Sequence, residues 1–379
     1  MNTHVDADVL ERTRKAVEEF PLSADGSFSN GARRALHRFG LLALTIPREY
    51  GGFGADSLAQ SKALWVISKG CPSVGLWYAM HTTVMMFIAA LGTDEQKKKL
   101  FEKVVREGNL FAAATSEPGA SFQDAFEMRT TFTPVDGGYR VDGEKHFCSI
   151  GRWAQRYFVM GKRKGSTTAK EGAITAAIQR GPGIDIVVWD FKKPIGMRET
   201  SSDSIGFKGV FVPSSDVIGN PGQLFASGLF ANFAICYATV YGTIGEKAIE
   251  FTEAYLKEKK LSPERVAKNQ QVLKRARRRV GGVRFRISEA CNAFSQDRAN
   301  AVLPIARAKL AACNTSTQVV QDMMQLVGGS SIFEATCPLG EMARCALVGR
   351  VMPPSQTRCL EVIARIERGE KGVTLLEFL

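Results

Sequence analysis

The sequence predicts an α+β multidomain chain: an all-α N-terminal domain, an all-β middle domain and an all-α C-terminal domain. Three observations predict it. Apolar residues recur with helical spacing up to about residue 110, the period shortens to two from Leu110, and helical spacing returns from Gly222. The expected domains are 1–110, 111–220 and 221–379. Composition agrees with a folded chain. Of 379 residues, 45% are hydrophobic and 23% charged, which excludes disordered and fibrous classes. Lys and Arg number 50 against 38 Asp and Glu, a formal charge of +12 that suits anionic partners, phosphate-bearing ligands among them.

In the first domain Leu10, Ala16, Val17 and Phe20 keep a helical spacing, and helices are expected over Ala32–Leu44, Leu58–Lys69 and Ser73–Leu91. Thr93 reads as the next N-cap, because Asp94, Glu95 and Gln96 put acids and a capping acceptor in the first turn. In the middle domain the runs 111–117, 139–149, 156–163, 173–179 and 207–213 alternate or are rich in β-branched residues. Gly137-Gly138 marks a hairpin turn before Tyr139. Four long helical segments follow, broken at Pro353-Pro354.

The stretch Leu224–Gly245 carries no charge and is long enough to cross a membrane. Ser227, Asn232 and several Gly and Thr dilute it, so a buried bundle helix is expected and no membrane span. The start, MNTHVDADVLERTRK, lacks the apolar stretch of a secretory signal. The eight Cys form no CxxC pair. Reduced, mostly buried thiols, no metal site and a cytoplasmic location are expected. The run Lys274–Arg286 is the densest positive patch. With Phe285 as its one aromatic it lacks a stacking surface for nucleic acid, so a solvated or acid-paired helix face is expected. Attraction of CoA or a phosphopantetheine carrier is the next reading, and no nucleic-acid partner is expected.

Six stretches, in order, carry a resemblance. They are Gly40–Gly54, Leu91–Leu100, Ala113–Ala120 with its Ser116-Glu-Pro-Gly119, Gly138–Ser149, Gly196–Gly219 with Phe207–Pro213 inside it, and Gln325-Leu-Val-Gly-Gly329. Together they resemble the acyl-CoA dehydrogenase superfamily of flavoproteins over nearly the whole chain. The resemblance implies the acyl-CoA dehydrogenase fold, with a β-barrel-like middle domain and a C-terminal four-helix bundle, and it implies FAD, with FMN as the alternative. It implies a homodimer or homotetramer, and an electron-transfer flavoprotein or other redox partner. It implies that Ser116 and Ser149 hydrogen-bond the flavin's polar edges and that Phe147 packs on its ring. Gln325, Gly328 and Gly329 are implied to meet the phosphate side of a cofactor from a neighbouring subunit. Lys259 stands where the family places a clasping Arg, and Ser355 joins the cofactor set. Substrate contacts are implied for Gly75, Ala79, Thr83 and Phe122. Gly75 and Ala79 replace two long polar side chains at the pocket floor of medium-chain relatives, so a deeper channel is expected for a long or bulky acyl group.

The usual catalytic Glu is missing. Pro353, in Val351-Met-Pro-Pro-Ser355, stands in its place, and Ile235 and Cys236 stand at the family's other location for the base. Neither Pro nor Ile takes a proton. Asp124, Glu334 and Glu341 are conceivable replacements. Three readings follow. One is an oxidoreductase acting on an acyl thioester, carried by CoA or an acyl-carrier protein, with a non-standard base. Another is a monooxygenase using reduced flavin and dioxygen. The third is a non-catalytic flavin or acyl-CoA binding protein. The resemblance to monooxygenases of this fold makes His81, with Ser149, the candidate catalytic histidine, weighed against a satisfied core histidine.

Overall fold

A computed structural model describes residues 5–19, 30–118, 128–188, 194–371 and 373. Helices α1 (Ala7–Glu18), α2 (Asn30–Arg38), α3 (Ser57–Gly70), α4 (Pro72–Leu91) and α5 (Asp94–Glu107) come first. The helix expected over 32–44 stops at Arg38, because Gly40 turns left-handed at φ 72° and a 3₁₀ turn over Leu41–Ala43 follows. Thr93 caps α5 as expected. Its Oγ1 accepts from Gln96 N at 3.3 Å, and Gln96 Oε1 accepts from Thr93 N at 2.9 Å. Gln96 also donates from Nε2 to Ser215 O at 2.8 Å and Val217 O at 2.7 Å, so a local cap ties the helices to the strand region.

Strands β1 (Phe111–Ala114), β2 (Thr131–Val135), β3 (Gly138–Cys148), β4 (Arg156–Arg163), β5 (Ala173–Gln179), β6 (Ile184–Val187) and β7 (Asp203–Pro213) form one sheet. Its order is β1-β4-β2-β3-β7-β6, with β5 paired to β4, and a short helix α6 (Ala169–Gly172) precedes β5. Strands β2 and β6 lie outside the expected runs; both are short and largely half-buried or exposed, which leaves little apolar period to read. The hairpin turn falls one residue earlier than expected. Val135 pairs with Gly138, so Asp136-Gly137 make the turn, with Gly137 at φ 75°. Gly138 serves close approach instead: a Cβ there would lie 2.2 Å from Val212 O of β7.

Helices α7 (Gln223–Ala226), α8 (Asn232–Lys257), α9 (Pro263–Gln296), α10 (Val302–Val327), α11 (Leu339–Val351) and α12 (Gln356–Glu367) complete the chain. The uncharged stretch 224–245 is therefore not one helix, because Gly228 at φ 67° separates α7 from the turn before α8. Helix α8 packs against α3 and α4 as well as α9 and α10, which is why its first half is neutral. The helix long and apolar enough to cross a membrane is α4, and 78% of that stretch is buried inside the protein. Phe87 of α4, Phe158 of β4 and Phe233 of α8 share one core, with Phe87 ring centroids 5.7 and 5.3 Å from the other two.

The basic run lies on α9, and acids face part of it. Arg279 pairs with Asp322 at 3.0 Å, Arg284 with Glu246 at 2.8 Å, and Arg277 with Glu253. All eight cysteines are free thiols, and all but Cys71 are buried.

Candidate active site

Beyond β1 the chain runs through Thr115 to Ser116, whose carbonyl accepts from His146 N at 2.9 Å. That bridge brings Ser116, Phe147 and Ser149 to one end of the sheet. Beside them Glu117 Oε1 accepts from Lys145 Nζ at 2.5 Å, with the two side chains 3% and 0% exposed. Glu117 also accepts from the amides of Arg129 at 2.5 Å and Thr130 at 3.1 Å. Burial pushes the Glu117 carboxyl up, but the ammonium and these amides outweigh it and hold the group below its ordinary value. Burial also pulls Lys145 down, against the attraction of Glu117. The pair locks β1, β3 and the approach to β2 together. Glu117 belongs to the Ser116–Gly119 motif and Lys145 to the Gly138–Ser149 motif, 28 positions apart, so no local spacing signals their pairing.

Phe147 is 63% exposed and sits at φ 55°. Ile150 is at φ 57°, and the touching segment holds Met197 at φ 57° and Ser201 at φ 45°. Ile150 N donates to Thr200 O at 2.7 Å across the two. Among the described residues these are all the non-glycine positions with positive φ. Such backbone is strained and persists where its surroundings over-determine it, as they do at binding sites. An open aromatic ring held this way, flanked by serine hydroxyls, fits a planar ligand with apolar faces and a polar rim.

His81 departs from the catalytic expectation. It is fully buried; Nε2 lies 3.0 Å from Leu42 O, and Nδ1 accepts from Phe111 N at 3.1 Å. Burial pushes its pKa down to about 4. Nε2 must donate to the carbonyl, so neither nitrogen is left for a substrate. His81 ties α4 to β1 and to the Leu41–Ala43 turn. Thr83 is buried as well, accepting from Asn232 Nδ2 at 3.1 Å within a network that includes Gln60 and Cys236.

The deep channel expected at Gly75 is closed. A Cβ at Gly75 would lie 2.0 Å from Ser68 Oγ, so the glycine lets α4 pack closely on α3. Ala79 is fully buried on the same helix. Phe122 and Asp124 lie outside the described residues.

Pro353 lies in the connection between α11 and α12, and neither it nor Pro354 carries an amide N–H. Ser355 is the N-cap of α12, its Oγ accepting from Arg358 N at 3.2 Å. That cap uses a lone pair of Ser355 Oγ and leaves its proton for another acceptor. Lys309, buried, donates to Gly349 O at 2.7 Å and Met352 O at 3.1 Å and so holds the connection in place. Ile235 and Cys236 are buried in α8. Glu334 and Glu341 both pair with Arg344.

Gln325, Gly328 and Gly329 are exposed at the end of α10. Gly328 is at φ 78°, and a Cβ at either glycine would meet nothing within 4 Å. Lys259 follows α8, its Nζ 4.4 Å above the Tyr255 ring. Proximity of Ser330 and Lys259 holds the Tyr255 phenol below its ordinary value, which puts Lys259 near the glycine turn. Gly328 N–H itself donates to Met324 O, so what the turn offers a phosphate is uncrowded backbone beside a cation. Tyr255 escaped the sequence reading; its signal is the four-residue spacing to Lys259. An open cleft of about 800 Å³, lined by Lys103, Gln155, Arg156 and Arg180 among others, includes none of these residues.

Residues 5–108 match the acyl-CoA dehydrogenase N-terminal domain, and residues 220–366 match the acyl-CoA dehydrogenase C-terminal domain. The chain belongs to the acyl-CoA dehydrogenase family. Dibenzothiophene monooxygenase from Rhodococcus erythropolis is 32% identical over 238 residues, which are 61% of this chain and 56% of that protein. Mitochondrial isovaleryl-CoA dehydrogenase from Solanum tuberosum is 34% identical over 191 residues, 50% of this chain and 46% of that protein. The chain thus spans about half the length of these curated relatives. The structure of FMN-bound TdsC from Paenibacillus sp. A11-2 superposes with a TM-score of 0.82 at 22% identity, covering 96% of this chain and 97% of that one. That likeness is one of fold.

Proposed function

We propose that the protein is a monooxygenase that uses reduced flavin and dioxygen. The connection Val351–Ser355 carries the reading. At 353 and 354 it offers neither a carboxylate nor an amide N–H. Ile235 and Cys236 supply no base, and Glu334 and Glu341 are engaged by Arg344. An acyl thioester would find, among the described residues at these places, no group to take its α-proton. At Pro353 and Pro354 it would also find no donor for the charge that develops on its carbonyl. Oxygen transfer requires neither. The similarity to a dibenzothiophene monooxygenase supports the same reading.

The cofactor is FAD or FMN. Phe147 would pack on the ring, with Ser116 and Ser149 at its polar edge. Lys259, Gln325, Gly328 and Gly329 would meet the phosphate of a cofactor in a neighbouring subunit, so a homodimer or larger homo-oligomer is part of the proposal. Bound reduced flavin supplies two electrons: with two protons, one atom of dioxygen enters the substrate, the other leaves as water, and the flavin is left oxidised. The redox partner is then a separate flavin reductase. The buried faces of α3, α4 and α8 exclude water from the interior beside the site.

The test loads the protein with FMN or FAD, reduces it chemically, and admits isotopically heavy dioxygen with a panel of heteroaromatic substrates. One heavy oxygen atom per product molecule is the expected result. In a parallel anaerobic mixture, isovaleryl-CoA should leave the oxidised bound flavin yellow. Bleaching by an acyl-CoA would overturn the proposal in favour of thioester oxidation, with Asp124 the first base to examine.

A further inference from the structure

We infer that Thr200 and Ser202 fix the direction of the Ser149 hydroxyl, so that Ser149 meets the flavin as a hydrogen-bond acceptor and favours its reduced form. The inference rests on the flavin placement proposed above.

Each serine or threonine hydroxyl has one proton to give. Thr200 Oγ1 donates to Met197 O at 2.9 Å, and a carbonyl can only accept. Thr200 has therefore used its proton, so in the 2.9 Å contact between Thr200 Oγ1 and Ser202 Oγ the donor is Ser202. Ser202 has then used its own. In the 3.4 Å contact between Ser202 Oγ and Ser149 Oγ the donor must be Ser149. Polarity runs one way along the chain of hydroxyls, from Ser149 to the Met197 carbonyl. Thr200 and Ser149 are 4% and 8% exposed, so water competes little at the two ends of the chain, while Ser202 between them is half-buried. The strained residues Met197 and Ser201 shape the segment that supplies the final carbonyl and both inner hydroxyls, which gives their backbone a task.

Ser149 is left with lone pairs and no proton for its ligand. Such a group attracts an N–H and repels a bare ring nitrogen. Two-electron reduction of a flavin adds N–H to its polar edge and removes a lone pair there. Ser149 therefore holds reduced flavin more tightly than oxidised flavin and raises the reduction potential of the bound cofactor. This suits an enzyme that receives its flavin already reduced. Thr200 and Ser202 act through Ser149 and are positioning residues.

The experiment measures, for the flavin-loaded protein, the reduction potential against dyes of known potential and the dissociation constants of oxidised and reduced flavin. In Ser202→Ala the Ser149 proton has no acceptor and turns to the oxidised ring. The ratio of oxidised to reduced dissociation constants should fall about fivefold, the worth of one neutral hydrogen bond. For a two-electron couple, where tenfold is about 30 mV, that makes the potential about 20 mV more negative. Thr200→Val should shift it the same way, because Ser202 then has its own proton to return. Ser202→Thr keeps the chain and should leave the potential at the wild-type value. In a Ser149→Ala background, Ser202→Ala should change nothing.

Equal weakening of both dissociation constants would reduce Ser202 to a packing role and overturn the inference. So would a shift that persists without Ser149, or flavin binding with no shift in either Ser202→Ala or Thr200→Val. Failure of the wild type to bind either flavin would instead overturn the cofactor placement itself.

Discussion

Mild acid should destabilise this protein through His81. In the fold its imidazole is neutral: Nε2 donates to Leu42 O and Nδ1 accepts from Phe111 N. A second proton would take the Nδ1 lone pair and leave the Phe111 amide without its acceptor. Burial lowers the histidine from 6.5 to about 4. The unfolded chain therefore takes up the proton first as pH falls. This contribution to stability is complete above the unfolded value of 6.5 and is lost as pH drops toward 4. At about 1.36 kcal/mol per pK unit, the loss is about 2 kcal/mol near pH 5 and about 3 kcal/mol near pH 4. The assay is urea unfolding at about pH 7.5 and about pH 5, for the wild type and for His81→Gln, which keeps an amide donor and does not titrate. Other acids titrate in both proteins, so the difference between them isolates the histidine. The wild type should lose about 2 kcal/mol more than the variant over this range. Parallel losses would refute a buried neutral imidazole. Lost activity with unchanged stability in His81→Gln would return the residue to the chemistry.

Three further outcomes are expected. Glu117→Gln or Lys145→Met, each leaving half of a buried ion pair, should cost about 3–5 kcal/mol in denaturant unfolding, and the double variant should recover part of it; single losses under about 1 kcal/mol would contradict the pairing. Gly75→Ala should destabilise by about 1–3 kcal/mol through contact with Ser68, and Ser68→Ala beside it should recover only part, since Ser68 Cβ at 2.8 Å still obstructs; an unchanged melting temperature would show that α3 and α4 are not so close. Gly328→Ala, at φ 78°, should cost about 1 kcal/mol while Gly329→Ala costs little, and joint replacement of both by Val should weaken flavin binding; undiminished binding would remove the turn from the cofactor site.

What the sequence determined by itself is what a few adjacent residues can decide. The capping box of Thr93 and Gln96, the turn before β3, the change from helical to alternating period and the six ordered motifs all act over short spans, so the family and much of the fold were legible. Tertiary structure decided the rest. His81 reads as a catalytic histidine until α4 brings it to Leu42 O and Phe111 N, which lie 39 and 30 positions away. Gly75 reads as an empty pocket floor until Ser68 of α3 fills it. Glu117 and Lys145 lie 28 positions apart and become one buried pair. The direction of the Ser149 hydroxyl depends on a carbonyl at Met197, two hydroxyls away. The reason is the same in each case. Proton affinity, hydrogen-bond direction and free space are set by what lies within about 3 Å and by exclusion of water, and only packing fixes those neighbours.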